Sequence, residues 1–153
     1  MSNSPLVTYT KISSNKSVRR SNIDTITIHC VVGQVTAKSC CDYLANPKVE
    51  ASANYIVGYD GSIGLCVEEK DRAWATGGTG ADGKPIRVNG ISGADNDHRA
   101  ISIEVASDSF PPYKVTTKAY NALIELLVDI CKRNNIPKLL WQGNKNLVGQ
   151  IDK

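Results

Sequence analysis

The sequence predicts a single α/β domain built on a mixed central β-sheet flanked by helices. Three observations lead there. Residues 24–32 and 100–106 alternate apolar and polar side chains with the period of a half-buried strand, and a stretch from Thr116 onward spaces its apolar residues by three and four. Strand-like and helix-like stretches then alternate along 153 residues without repeats or low-complexity tracts. Hydrophobic residues make up 41% and charged residues 22%, which suits one well-packed core and rules out a disordered chain.

Residues 1–22 are polar and basic and read as an extended arm with a short strand near 6–9. In Asp24-Thr25-Ile26-Thr27-Ile28-His29-Cys30-Val31-Val32, alternation puts Ile26, Ile28, Cys30 and Val32 on one face, expected to be core. Thr25, Thr27 and His29 fall on the other face, polar or open to a cleft. Gly33 breaks the strand, and Thr36 can cap a helix to about residue 44, ended by Asn46-Pro47. Residues 54–58 and 63–67 form a strand pair joined by Tyr59-Asp60-Gly61-Ser62, where Asp-Gly favours a positive φ.

Between residues 75 and 97, Gly77, Gly78, Gly80, Gly83, Gly90 and Gly93 are interspersed with Asp82, Asn89, Asp95 and Asn96. Such a stretch predicts a long mobile loop, a rim beside Trp74. Strand 100–106 sends Ile101, Ile103 and Val105 inward and leaves Ser102 and Glu104 opposite. After Pro111-Pro112 the best helix begins at Thr116 or Thr117, with Tyr120, Leu123, Ile124, Leu127 and Cys131 as its apolar stripe. Asn134-Asn135 end it before Pro137, and Leu139-Leu140-Trp141 reads as a last buried strand.

Composition narrows the function. The net charge of +3 is mild and its Lys and Arg residues are scattered, so no basic, aromatic-interleaved stripe points to nucleic acid; a polyanionic surface such as a bacterial wall suits it better. No apolar run approaches a membrane span. Met1-Ser2-Asn3-Ser4-Pro5 lacks the order of a signal peptide, so synthesis in the cytoplasm without a leader is expected. The cysteines (Cys30, Cys40, Cys41, Cys66 and Cys131) are odd in number and lack C-x-x-C spacing, which excludes a zinc ribbon or a thioredoxin-like site. They are expected to be reduced and mostly buried. A His29–Cys30 nucleophilic pair is excluded because neighbours on a strand face opposite ways. What remains is an imidazole, His29, and a carboxylate, Glu104, each on the non-core face of a strand. Those are parts of a metal or acid–base site.

Four blocks extend this reading. They are Thr25-Ile26-Thr27-Ile28-His29-Cys30, Ala53-Asn54-Tyr55-Ile56-Val57-Gly58-Tyr59-Asp60-Gly61, Glu68-Glu69-Lys70-Asp71-Arg72-Ala73-Trp74, and Asn96-Asp97-His98-Arg99-Ala100-Ile101-Ser102-Ile103-Glu104-Val105-Ala106. In this order and spacing the chain resembles the type-2 N-acetylmuramoyl-L-alanine amidases, the family of T7-type lysozyme, phage endolysins and peptidoglycan recognition proteins. It looks closest to phage endolysin catalytic domains. The resemblance implies an open groove on an amidase-like sheet and a Zn2+ cofactor. It implies peptidoglycan as partner and hydrolysis of the amide between N-acetylmuramic acid and L-alanine of the stem peptide, in bacteriolysis after release to the wall.

By the same resemblance His29 is a zinc ligand, Glu104 the general base, and Asn54, Tyr55, Trp74 and Asn96 contact substrate. The family's later His and Cys (or Asp) ligands and its nearby Lys have no counterpart around Leu140-Trp141-Gln142-Gly143-Asn144-Lys145 or on to Lys153. Ala75 stands where many members have His. His98 is not expected to replace a ligand. The expectation is therefore a catalytic domain that lacks the family's C-terminal ligand segment, with weak zinc binding and no activity by itself. The alternative is a non-catalytic peptidoglycan-binding module of the same fold.

Overall fold

The computed structural model describes residues 2–88 and 90–140. Its strands are β1 (Tyr9–Thr10), β2 (Lys16–Val18), β3 (Thr25–Cys30), β4 (Tyr55–Val57), β5 (Ile63–Leu65), β6 (Asp71–Ala73), β7 (Arg87–Val88), β8 (Ile91–Ser92) and β9 (Ala100–Val105). Its α-helices are α1 (Ala37–Leu44), α2 (Gly93–Arg99) and α3 (Thr117–Arg133). The main sheet has the order β1-β5-β4-β9-β3. Only the β4–β5 pair is antiparallel; β1 runs parallel to β5, and β9 runs parallel to both β4 and β3. The mixed sheet is as expected. Two small two-stranded sheets, β2–β6 and β7–β8, stand beside it.

Each face of the sheet has its own helix. Tyr55, Val57, Ile101, Ile103 and Val105 pack under α3 with Ala119, Ala122, Leu126, Leu127 and Ile130. Ile56 and Cys66 pack on the other face under Ala37, Cys40, Cys41 and Leu44 of α1. Thr36 caps α1 by accepting from the Ser39 amide, as its sequence position predicts. Gly61 takes φ +84 in the β4–β5 turn, where Asp-Gly was read as a hairpin signal.

The N-terminal segment is no loose arm. Its strand is at Tyr9–Thr10 rather than 6–9, Ser4, Ser13 and Asn15 are buried, and the Arg19 guanidinium donates to the backbone carbonyls of Glu69, Asp71, Asp97 and His98. Ile28, Cys30 and Val32 are exposed because β3 is, among the described residues, an outer strand paired with β9 alone, beyond the cover of α3. Ile26 alone of that face is packed on the core. The stripe of α3 is rotated: Tyr120 and Ile124 are exposed, whereas Ala119 and Ala122 let the helix approach the sheet. Residues 75–97 hold the β7–β8 hairpin and the start of α2, though 81–87 are exposed as a rim would be. Leu139 and Leu140 are exposed and outside any strand. Trp141, Lys145 and Lys153, like Asn89, lie outside the described residues.

Candidate functional site

On the α1 face of the sheet, α1 covers β4 and β5 but leaves the β9–β3 side open. There His29 and Glu104 are register partners on adjacent parallel strands, about 5 Å apart along the backbone. Thr27 pairs with Ser102 one step earlier on the same face. The sequence parity of both strands thus places imidazole and carboxylate side by side. His29 Nε2 is buried and has no hydrogen-bond partner, and neither has Ser102 Oγ. Unpaired buried polar atoms are rare and point to an absent ligand, ion or water. Burial pushes the Glu104 carboxyl above the usual carboxylate range, and His29 beside it pulls partly the other way.

The rim of this face is tied by α2. Ser92 and Asp95 form a reciprocal capping box at its N-terminus. Asp97 is buried and accepts from the amides of Ala75 and Thr76 and from the Thr76 hydroxyl, which fixes the chain just past Trp74. Asn96 Nδ2 donates to Thr27 Oγ1 at 3.0 Å and to Thr76 Oγ1 at 3.1 Å, joining the rim to the strand that carries His29. Trp74 is half-buried, with Nε1 directed to Ser17 Oγ at 3.4 Å. Asp97, Thr76 and Thr27 were not singled out from sequence. A Ser-x-x-Asp cap at Ser92 was the signal that a helix begins there.

Asn54 and Tyr55 stand apart from the groove. Asn54 is fully buried, donates to the Val67 carbonyl and accepts from the Ser102 amide, so it locks β9 to the β5–β6 connection. Tyr55 is fully buried on the α3 face, and its hydroxyl donates to Glu69 at 2.6 Å. Neither presents a polar atom to a ligand in this arrangement.

His29, with an unpartnered ring nitrogen facing Glu104, suits one zinc ligand. Among the described residues, however, no group of three His, Cys, Asp or Glu side chains could hold a metal. Residues 141–153 contain no His or Cys. Cys40 lies close enough to Glu104 for their charges to interact, but burial first of all, with Glu104 and Cys66 adding to it, pushes its thiol up to about 12. It stays a protonated core residue. The residues present supply one good ligand and do not by themselves close a three-ligand site.

An orphaned imidazole, a half-buried carboxyl and a braced rim thus share one face of a mixed sheet that lies between two helices. The chain belongs to the N-acetylmuramoyl-L-alanine amidase family Amidase_2, whose profile it matches over residues 19–149. Solved structures share the fold. A selenomethionine derivative of AmpD gives a TM-score of 0.64 at 16% identity, over 86% of this chain and 77% of that one. A mutant endolysin from Bacillus subtilis gives 0.61 at 19%, over 95% of each chain. The Drosophila peptidoglycan recognition protein PGRP-SA gives 0.55 at 16%, over 84% of this chain and 75% of that one. No curated protein sequence matches the chain significantly.

Proposed function

We propose that the protein is a zinc-dependent amidase of bacterial peptidoglycan, acting on the bond between the lactyl group of N-acetylmuramic acid and L-alanine. The observation that carries this is the juxtaposition of His29 Nε2, buried and without a partner, with the Glu104 carboxyl, in a chain of this family. Zinc held by three protein ligands supplies Lewis-acid polarisation and a water of lowered pKa. His29 would give it one imidazole.

Glu104 then works as a proton carrier. A carboxylate with a raised pKa takes a proton from the attacking water and returns it to the departing amine, whose protonation makes C–N cleavage favourable. Burial raises its affinity for the proton and so favours the accepting half. Asn96, held by Thr27 and Thr76, and the half-buried ring of Trp74 border the same face and serve to orient the muramoyl peptide. Asn54 and Tyr55 act behind it as structural supports. The protein would be made in the host cytoplasm and meet its substrate after release; among the described residues no helix is long and apolar enough to cross a membrane.

With its single placed imidazole, the 153-residue chain should bind zinc weakly and lyse walls poorly. Zinc content after dialysis and the clearing of wall suspensions with and without added zinc would be measured for the protein and for its His29→Ala and Glu104→Gln variants. Zinc-dependent lysis, lost in His29→Ala and lowered ~10²–10⁴-fold in Glu104→Gln, is the expected result. Lysis indifferent to chelators and to Glu104→Gln would overturn the assignment. The incomplete donor set favours one second reading, a wall-binding module. Retention on sacculi without release of muropeptides from any form would establish it.

A further inference from the structure

On the far side of α2 from Asn96, three hydrogen-bond donors converge with no acceptor among the described residues. His98 lies two residues from Asn96, about 200° around the helix, and so faces away from the groove. Its Nδ1 accepts the backbone N–H of Arg20 at 3.2 Å. That bond fixes the neutral tautomer, so Nε2 carries the proton. Yet Nε2 faces the Nη1 of Arg72 at 3.5 Å, and a guanidinium offers only donors. Donor meets donor. The Arg72 Nε is in addition buried and without any partner.

The charges around this point do not compensate. Arg19 beside it is held by four neutral backbone carbonyls. Arg20 is exposed, with its side chain at the same edge. The nearby carboxylates are engaged elsewhere: Asp71 with Lys16, Asp97 with the amides of Ala75 and Thr76, and Asp95 with Ser92 and Arg87. Burial, then Arg72, Arg20 and Arg19, hold the His98 imidazole below its ordinary value, against a weaker pull from Asp95. The fold thus holds the Arg72 guanidinium against the His98 N–H, beside Arg19 and Arg20, with no acceptor between them among the described residues. One negatively charged ligand with several acceptor oxygens would satisfy all of them at once.

We propose that Arg72, His98 and Arg20 form a binding site for a phosphate-class oxyanion, outside the reaction groove. A tetrahedral anion between the Arg72 guanidinium and the His98 ring would accept from Arg72 Nε and Nη1 and from His98 Nε2, with the Arg20 head closing from solvent. Two sources share this chemistry, free phosphate and the phosphodiesters of an anionic wall polymer. Arg72 is two residues before Trp74, so an anchored polymer would lie beside the groove rim. The site does not depend on the proposed amide hydrolysis.

The test follows the His98 ring signals of the full chain by NMR, titrating pH in inorganic phosphate and in chloride at matched ionic strength. Phosphate should raise the His98 midpoint saturably, since a bound anion stabilises the imidazolium left beside Arg19, Arg20, Arg72 and Asp95. Arg72→Gln should weaken the half-saturation about tenfold, the scale of one charge-assisted hydrogen bond. Arg20→Gln, at an exposed side chain that leaves the backbone bond to His98 intact, should weaken it less. Glycerol-phosphate oligomers binding more tightly than inorganic phosphate would identify the polymer as the source; equal or weaker binding would identify the free ion. Absence of a saturable phosphate effect, or an effect unchanged in both variants, would overturn the site. Because none of these readouts involves turnover, their failure is separate from a failure of the amidase assignment.

Discussion

Burial of the Glu104 carboxyl beside His29 favours its protonated form, so the group that suits proton transfer also weakens the fold at neutral pH. The native state binds more protons than the unfolded one between the ordinary value of 4.5 and the raised folded value. Stability from this group is therefore present below 4.5 and lost as pH rises through that window. Each unit of the shift is worth about 1.4 kcal/mol. Glu104→Gln, which cannot ionise, is expected to melt above the parent at pH 7 while activity falls, with the gap closing below pH 4.5. Thermal melts across pH check this, and a lower melting point for the Gln form at pH 7 would contradict it. The placement of His29 and Glu104 on one face was legible in the sequence because each lies on a strand whose two faces differ in polarity. Asn54 and Tyr55 were not, because β4 is buried on both faces and its parity carries no information about a groove.

At the scale of elements, β3, β9 and α3 announced themselves through periodicity and β4, β5 and α1 through turn and cap residues, whereas the short β2, β6, β7 and β8 carried no such signal, and errors arose where packing overrode the pattern. Helix α2 has seven residues and no apolar stripe, so only its capping box marked it inside a glycine-rich stretch. The longest helix was found, but its face was assigned to the large side chains Tyr120 and Ile124. The structure instead buries Ala119 and Ala122, small residues that let α3 lie close on the sheet. Two substitutions separate these faces. Ala122→Leu should cost about 1–3 kcal/mol by overpacking, whereas Tyr120→Lys should stay within about 0.5 kcal/mol. Urea unfolding of both variants reads the difference, and the reverse order would restore the stripe expected from spacing. Ile28, Cys30 and Val32 were misjudged for a related reason: alternation identifies a face but not whether another element covers it.

Across the whole molecule, one buried ion pair ties together segments far apart in sequence. Glu69 is fully buried and accepts from Arg133 through both oxygens, at 2.6 and 2.9 Å, and from Tyr55 and Asn134. Arg133 also donates to the Ser2 carbonyl, and the Tyr55 hydroxyl accepts from the Ser4 amide. The N-terminal segment, β4 and the end of α3 thus meet at one carboxylate. Arg133→Met would leave that carboxylate without its cation and should cost about 3–5 kcal/mol in denaturant unfolding. A loss below 1 kcal/mol would show that the segments hold together by other contacts. No periodicity announces such a pair, because Glu69 and Arg133 each look like ordinary surface charges in sequence.

The thiols offer a probe of how the whole structure opens. Cys30 is exposed on the outer strand and Cys131 is partly covered on α3, where burial raises its pKa. Cys40, Cys41 and Cys66 are buried between α1 and the sheet. There a hydrogen bond to Cys66, together with burial, keeps the Cys41 thiol protonated, while burial chiefly holds Cys40 at about 12. Thiolates are the reacting species, so Cys40 and Cys41 are protected by inaccessibility and by protonation together, whereas Cys66, whose thiol is pulled down by its hydrogen bond with Cys41, is protected by burial alone. A disulfide reagent in native buffer should label Cys30 first and Cys131 more slowly. The remaining three should react only when α1 leaves the sheet, at least about a thousandfold more slowly than Cys30 if that opening requires global unfolding. Cys30→Ser should remove the fast phase alone. Rapid labelling of the Cys40, Cys41 and Cys66 group in native buffer would mean that α1 opens locally, and the wall it forms beside Glu104 would then be a moving part rather than a fixed one.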